Sequence, residues 1–222
     1  RGTCYVVVYY VRTNTYKMNI TNLKAQPIVW YKEAFKPQKR EIDFIKALPL
    51  KQLYNKDVTG TIDSYIFKNN KLKRLKDLAL KCADQYVKEI LELDIDYYLT
   101  QSWASITSKN KNHHSHMHRN TLFGGVMYLQ AERDKGGELM VDCGRSMLEE
   151  GFNFEYNIKN YNIYNSSRYK YPVGTGDIVI FPGWLSHYTL PNLSSEDRIA
   201  VGFDFFVKGS FGSVDQWSKI SI

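Results

Sequence analysis

The second half of the chain carries short apolar runs that alternate with turn residues. The runs Leu122–Gln130, Glu138–Asp142, Ile178–Phe181 and Arg198–Phe206 are four to nine residues long. Their length, their valine, isoleucine and aromatic content, and the glycine, proline and asparagine residues between them predict buried β-strands. Strands and turns that follow one another at short intervals are typical of an all-β sandwich or jelly roll.

The first half of the chain has helical periodicity in two places. Within residues 69–91, leucines and other apolar residues recur at helical spacing, and lysines occupy the opposite face. A second, shorter helix is predicted from Glu41 to Leu48, because Pro49 would interrupt it. Helices of this kind would brace one sheet from outside. The predicted fold class is therefore mainly β, with a jelly-roll core braced by one or two N-terminal α-helices, and α+β overall.

No repeat, linker or low-complexity segment divides the chain. We therefore predict a single domain over residues 1–222. Within it, residues 1–98 would form N-terminal strands and supporting helices, residues 99–207 the jelly-roll core, and residues 208–222 a C-terminal tail. The tyrosine-rich and asparagine-rich stretch 151–172 is expected to be a hairpin or loop near the mouth of the core, where it could contact a substrate.

Composition narrows the functional classes. The chain has 222 residues, of which 43% are hydrophobic and 24% charged, which suffices for a full core. It lacks both an apolar stretch of membrane-spanning length and a signal-peptide pattern, and its three cysteines show no CxxC spacing. We expect a cytoplasmic protein with reduced thiols and no membrane partner. The net charge of +7 is densest in residues 69–91, where a solvated helix face is favoured over nucleic-acid binding.

The histidines are clustered. Four of the five, His113, His114, His116 and His118, lie within six residues, and His187 follows 69 residues after His118. Side chains two apart on an extended strand point to the same face, so an HxH pair can offer two nitrogens to one metal ion. Spacing alone fits either His116 with His118 or His114 with His116, and His187 would be the third ligand. The alternative is a solvated loop that binds metal only adventitiously.

A set of short motifs gives this pattern a family context. They are Ser102-Trp103, His116 and His118 with Asn120, Val126–Leu129, Phe181-Pro182, Trp184-Leu185, His187, Pro191-Asn192, Arg198-Ile199 and Phe203. With these motifs the stretch from about Leu99 to Phe206 resembles the double-stranded β-helix of Fe(II)/2-oxoglutarate-dependent oxygenases. The resemblance is to a group of mostly uncharacterised bacterial and phage proteins with an HxH and a distal histidine.

The resemblance implies Fe(II) as the metal, 2-oxoglutarate as co-substrate and O₂ as oxidant, with His116, His118 and His187 as ligands. Non-haem Fe(II) oxygenases usually hold the metal with two histidines and a carboxylate. His118 stands where most of the superfamily has aspartate or glutamate. A neutral imidazole there leaves the metal site with one more positive charge, which favours anionic ligands and weakens retention of the metal.

The resemblance also implies a co-substrate anchor. Arg198 would grip the distal carboxylate of 2-oxoglutarate, because a guanidinium matches a carboxylate bidentately. The alternative is a surface arginine that begins a strand. Tyr128 would give a phenol to the same carboxylate, or else be a structural tyrosine. Ala200 occupies a position where the family often has a serine, so one carboxylate contact would be missing.

Four further residues of these motifs are expected to have structural roles. Trp103 and Trp184 are predicted to pack in the core or the pocket wall, and Asn120 and Asn192 to be turn residues. None of the four is predicted to be catalytic.

Three functions follow from these patterns. The first is an Fe(II)/2-oxoglutarate oxygenase, most simply a hydroxylase, acting on a small molecule, peptide or nucleotide. The second is a cupin-type metalloenzyme that does not use 2-oxoglutarate. Pro182, five residues before His187, fits a cupin half-motif, but the glutamate expected shortly after HxH is absent. The third is a non-catalytic jelly-roll module that binds a sugar, peptide or nucleic acid through exposed tyrosines and the basic helix.

Overall fold

The structure, a computed structural model, describes residues 9–12, 17–20, 26–53, 57–144, 157–162 and 164–222. Its helices are Lys39–Lys46 (α1) and Lys73–Gln85 (α2), and α2 is preceded by 3-10 turns at Ile66–Lys68 and Asn70–Leu72 and followed by a π turn at Tyr86–Ile90. Its strands are Tyr9–Arg12 (β1), Lys17–Ile20 (β2), Val29–Tyr31 (β3), Leu50–Gln52 (β4), Val58–Thr61 (β5), Asp96–Thr107 (β6), Phe123–Gln130 (β7), Leu139–Asp142 (β8), Arg168–Tyr171 (β9), Ile178–Pro182 (β10), Ser186–Thr189 (β11), Arg198–Lys208 (β12), Ser210–Phe211 (β13) and Ile220–Ser221 (β14).

Two antiparallel sheets form the body of the fold. The larger has the strand order β3, β10, β7, β12, β6, β5, β4, and the smaller has the order β11, β8, β9. Two separate pairs, β1 with β2 and β13 with β14, complete the strands of the described residues. The four strands predicted from the apolar runs correspond to β7, β8, β10 and β12. The predicted fold class, a mainly β jelly roll with two bracing helices, is confirmed.

Side-chain alternation along β12 separates the two faces of the larger sheet. One set packs with the buried side of α2 in the main hydrophobic core, and it consists of Ile199, Val201, Phe203 and Phe205. The other set faces the smaller sheet and the space between the sheets, and it consists of Arg198, Ala200, Gly202 and Asp204. Because successive side chains on a strand point to opposite faces, this single strand contributes both to the core and to the cleft.

The helices begin and end close to the predicted residues. The helix predicted over 41–48 spans Lys39–Lys46 and starts earlier because the Gln38 N–H donates to the Glu41 carboxylate at 2.9 Å. Glu41 is buried and paired with Arg74 of α2 at 2.6 Å, which ties the two helices together. No helix of the described ranges has the length and apolarity needed to cross a membrane.

Two predictions are only partly covered by the described residues. In the stretch 151–172, residues 151–156 and 163 lie outside the described ranges, and residues 168–171 form β9 at the edge of the smaller sheet. The division of the chain into one domain with segments 1–98, 99–207 and 208–222 stays a prediction.

A buried carboxylate fixes the start of β10 to the N-terminal part of the chain. Asp177 is fully buried and accepts hydrogen bonds from Trp30 Nε1 at 2.9 Å, the Glu33 N–H at 2.8 Å and the Gly174 N–H at 2.9 Å, and Arg133 donates to both of its oxygens. Burial alone raises the pKa of Asp177, but these hydrogen bonds outweigh it and the net pKa is lowered.

We expect Asp177→Ala to lower the free energy of unfolding by about 3–5 kcal/mol, because it leaves the partners of a buried ion pair uncompensated. Denaturant unfolding followed by circular dichroism measures the effect. The matched control is Asp43→Ala, which removes an exposed pair with Lys39 and should cost about 0.5 kcal/mol or less. Equal losses in the two variants would contradict a structural role for Asp177.

Candidate metal centre

The HxH segment lies antiparallel beside β11, and this pairing brings the histidines together. His116 and His187 exchange both backbone hydrogen bonds, at 3.0 and 2.9 Å, and so lie directly opposite each other. The His118 N–H donates to the Gly183 carbonyl at 2.9 Å, just before β11 begins. As a result one ring nitrogen of each of His116, His118 and His187 lies within 4.8 Å of the others.

The Nδ1 nitrogen of each ring faces an oxygen. His116 Nδ1 lies 2.8 Å from the His114 carbonyl, His187 Nδ1 2.9 Å from the Leu185 carbonyl, and His118 Nδ1 2.6 Å from an Asp204 carboxylate oxygen. Because a carbonyl or carboxylate can only accept, each Nδ1 carries the proton, which leaves the lone pair of a neutral ring on Nε2. Three Nε2 atoms are therefore oriented to bind one metal ion, as in metal sites where ligand histidines donate their second N–H.

The geometry distinguishes the two HxH pairs that spacing left open. The three-nitrogen cluster includes His118, whereas His114 is not part of it, and His114 Nδ1 is buried with no hydrogen-bond partner. His113 stacks on the His116 ring at a centroid distance of 4.4 Å and lines the adjoining pocket. The ligand role of His116, His118 and His187 remains a proposal, taken up below.

Burial favours the neutral form of His113, His116 and His187. It lowers the pKa of His116 to about 4, with a further contribution from the neighbouring His118, and it lowers the pKa of His187 well below its usual value. The pKa of His113 is lowered to about 3, also chiefly by burial. Metal coordination requires a deprotonated nitrogen, so His116 and His187 are in the state that a cation needs at neutral pH.

A pocket opens between the two sheets next to the histidines. It is open to solvent, and its empty space, including the part that is open solvent, is about 480 Å³. Trp103, Tyr128 and Phe181 form much of its aromatic wall, and Arg198 lies on the same wall. Pockets with largely apolar walls and a few placed polar groups are typical of small-molecule sites.

Arg198 is a buried cation that has no acidic partner among the described residues. Its side chain is 5% exposed, so the alternative of a surface arginine at the start of a strand is wrong. One Nη donates to the Gly137 carbonyl at 2.9 Å, while the buried Nε has no hydrogen-bond partner. Burial lowers the pKa of Arg198, and within the described ranges no carboxylate pairs with it. A buried charge left this way costs free energy, and an anion bound in the pocket would compensate it.

Tyr128 lies beside this guanidinium. The centre of the Arg198 guanidinium is 5.9 Å from the centroid of the Tyr128 ring, which is 1% exposed. Burial raises the pKa of Tyr128 to about 12, so the phenol is a hydrogen-bond donor and not an anion. Ala200, on the same face of β12 as Arg198, lines the pocket without a polar group.

The remaining motif residues divide between confirmed and wrong predictions. Trp103 lies in the pocket wall and meets the His118 ring edge-on at 5.3 Å, as a packing residue would. Trp184 is 55% exposed, so its predicted packing is wrong: it follows Gly183 in the turn before β11. Asn120 has a φ of 55°, typical of turns. Asn192 is buried in an isolated β-bridge with Gly136 and not in a turn, and its side-chain amide donates to the Thr107 and Glu196 carbonyls.

Asp204 is the site residue that the sequence patterns missed. It lies on β12 six residues after Arg198, so alternation places both side chains on the cleft face. A charged residue in the apolar interior of the strand, at an even spacing from Arg198, was the signal that could have identified it.

Comparison with known proteins agrees with this geometry. Residues 101–204 match the sequence profile of the family described as "Putative 2OG-Fe(II) oxygenase". This segment runs from β6 to β12 and includes the three clustered histidines, Tyr128 and Arg198. Among curated proteins, none matches the chain significantly.

Several solved structures have a similar fold. An oxidoreductase of the 2OG-Fe(II) oxygenase family from Burkholderia pseudomallei aligns with a TM-score of 0.54 at 13% identity, covering 80% of this chain and 83% of that one. HygX from Streptomyces hygroscopicus, solved with nickel, 2-oxoglutarate and hygromycin B bound, gives 0.57 at 13% identity, with 81% and 82% covered. A Pseudomonas putida prolyl-4-hydroxylase gives 0.56 at 14% identity, with 83% and 94% covered. At these identities the likeness establishes the shared fold.

Proposed function

We propose that this chain, whose residues 101–204 match the 2OG-Fe(II) oxygenase family, is an Fe(II)- and 2-oxoglutarate-dependent oxygenase. The observation that carries the proposal is the presence of two features in one pocket. Three imidazoles converge there, and Arg198 is buried without a carboxylate partner among the described residues. A metal ion and a guanidinium together suit a ligand with an anionic group at each end. 2-Oxoglutarate is such a ligand.

The donor set fits Fe(II). Imidazole nitrogens suit iron, and three ligands on one side leave the remaining positions for a bidentate 2-oxo acid and O₂. Bound Fe(II), with 2-oxoglutarate and O₂, would supply the oxidising chemistry. His116, His118 and His187 would hold the metal through Nε2, each fixed by the oxygen that its Nδ1 faces.

The other pocket residues would bind the co-substrate and exclude water from the metal. Arg198 would donate to the distal carboxylate through the Nε and Nη groups that the Gly137 carbonyl leaves free, and Tyr128 would donate its phenol to the same carboxylate. Trp103 and Phe181 cover the sides of the histidine cluster and limit access of water to it.

For the substrate we propose only a chemical class. HygX was solved with hygromycin B, and another similar structure is a prolyl-4-hydroxylase, so small molecules and peptides are the first classes to test. Hydroxylation is the simplest outcome for either class. We propose no membrane partner, and nucleotides belong in the same substrate panel.

We expect 2-oxoglutarate to bind the Mn(II)-loaded protein and not the metal-free protein, because the 2-oxo acid needs the metal as well as Arg198. Calorimetric titration measures both states, and succinate release with Fe(II) and a substrate panel then tests turnover. The cupin alternative predicts metal binding that is indifferent to 2-oxoglutarate. The binding-module alternative predicts no specific metal binding. Either result would contradict the proposed function.

A further inference from the structure

The three oxygens that face the histidine Nδ1 atoms are chemically unequal. His116 and His187 face neutral backbone carbonyls, at 2.8 and 2.9 Å, whereas His118 faces the Asp204 carboxylate at 2.6 Å. The carboxylate therefore lies behind the histidine that stands where most of the superfamily has a carboxylate ligand.

The pair of His118 and Asp204 is buried, with Asp204 on β12 and His118 in the HxH segment beside β11. Their side chains are only 8% and 6% exposed, so solvent screens their interaction little. Gly124 of β7 leaves the room for it, because a Cβ at that position would lie 2.5 Å from the Asp204 oxygen and 3.2 Å from His118 Nδ1. Trp103 and Phe181 pack edge-on against the His118 ring.

We propose that Asp204 is a positioning residue that supplies, through His118, the negative charge which a directly coordinating carboxylate supplies in the usual ligand set. The inference rests on the proposed function. The Nδ1–H donated to the carboxylate makes His118 Nε2 a stronger electron-pair donor and fixes the ring orientation. A histidine ligand in place of a carboxylate removes one negative charge from the metal's ligands. The Asp204 carboxylate restores that charge behind His118, not in direct contact with the metal.

A purely structural role makes different predictions. If Asp204 only ties the HxH segment to β12, its charge has no effect on the metal, and any loss on substitution follows protein stability. If it acts electronically, the charge itself matters even when the hydrogen bond is kept. Asp204→Asn separates the two, because an amide oxygen still accepts from Nδ1 but is uncharged.

We expect Asp204→Asn to bind Mn(II) about 10–100-fold more weakly than the wild type, as is typical when the partner of a ligand histidine is lost. The Fe(III)/Fe(II) reduction potential of the iron-loaded protein should rise, since a nearby negative charge favours the ferric state. Affinity of the metal-saturated variant for 2-oxoglutarate should not fall, because the site becomes more positive. A structural role alone would move neither the potential nor the balance between the two affinities.

The matched control is Thr100→Val. It removes the hydrogen bond from the Thr100 hydroxyl to the Asp204 backbone carbonyl, at 3.1 Å, and leaves the carboxylate in place. This variant should keep the wild-type Mn(II) affinity and potential. Unchanged Mn(II) affinity in Asp204→Asn would overturn the inference while leaving 2-oxoglutarate binding, and so the proposed function, intact. Wild-type protein that binds no metal would overturn both.

A measurement on the unaltered protein covers the case in which Asp204→Asn fails to fold. In the Zn(II)-loaded wild type, the Nδ1 proton of His118 should resonate downfield of those of His116 and His187, because its hydrogen bond is charge-assisted and shorter. Nitrogen-edited NMR with assigned histidine rings gives this comparison. A His118 proton no further downfield than the other two would overturn the inference.

Discussion

Replacing Arg198 with methionine should weaken 2-oxoglutarate binding to the Mn(II)-loaded protein by about 2–5 kcal/mol, which is roughly 30-fold to several thousand-fold. The reason is that the distal carboxylate would enter a pocket of largely apolar side chains and lose its charged partner. Methionine keeps much of the volume of the arginine stem, so the comparison isolates the guanidinium. Mn(II) affinity should be unchanged, because Arg198 does not belong to the histidine cluster. Calorimetry with each ligand in turn measures both quantities.

The same substitution should stabilise the ligand-free protein, although it weakens 2-oxoglutarate binding. In the absence of 2-oxoglutarate, Arg198 is a fully buried cation whose Nε lacks a partner. Removing an uncompensated buried charge relieves a desolvation cost, so the free energy of unfolding of the ligand-free protein should not decrease and is expected to increase. A binding site that lowers the stability of the ligand-free protein is an example of the trade-off between function and stability.

Two further variants define the specificity of this result. Arg198→Lys keeps the charge but loses the planar fork, and should bind 2-oxoglutarate with an affinity between those of the wild type and Arg198→Met. Arg168→Ala removes an arginine that is 63% exposed and lies 3.6 Å from Asp142, and it should leave both affinities unchanged. If 2-oxoglutarate bound Arg198→Met as tightly as the wild type, the co-substrate role of this pocket would be wrong.

The core strands were predictable because their apolar runs are local signals. β7, β10 and β12 are each buried on both faces or nearly so, which makes them continuous hydrophobic runs in the sequence. The short strands β3, β4 and β5 gave no comparable run. β3 has three residues and exists by pairing with β10, almost 150 residues away, a contact that no local pattern encodes.

The candidate site was predictable in composition and only partly in geometry. HxH spacing indicated that two of the clustered histidines would share a face, but it could not choose between the two overlapping pairs. The choice depends on register: His116 pairs directly with His187, which brings His118 into the cluster and leaves His114 outside it. Burial of Arg198 likewise depends on the smaller sheet that covers it, and exposure of Trp184 depends on a turn. Neither is visible in strand periodicity.

Replacing His187 with alanine should abolish specific metal binding. His187 offers one of three nitrogens, and losing a ligand outright should exceed the roughly 10–100-fold loss caused by removing a ligand's hydrogen-bond partner. The backbone pairing of His116 with residue 187 needs no side chain, so the HxH segment should keep its place beside β11. Mn(II) titration measures the loss, and 2-oxoglutarate binding should disappear with it.

His114→Ala is the control for whether the loss of metal binding is specific to the three-nitrogen cluster. His114 belongs to the same histidine-rich segment, but its side chain lies outside the three-nitrogen cluster, and the oxygen it gives to His116 Nδ1 is a backbone carbonyl that alanine retains. Mn(II) affinity should therefore stay at the wild-type value. An adventitious site made of any nearby histidines would lose affinity in both variants to a similar degree. The same loss in both variants would follow if His114, His116 and His187 held the metal. In either case the assignment of His118 as a ligand, and the geometry proposed for His118 and Asp204, would be wrong.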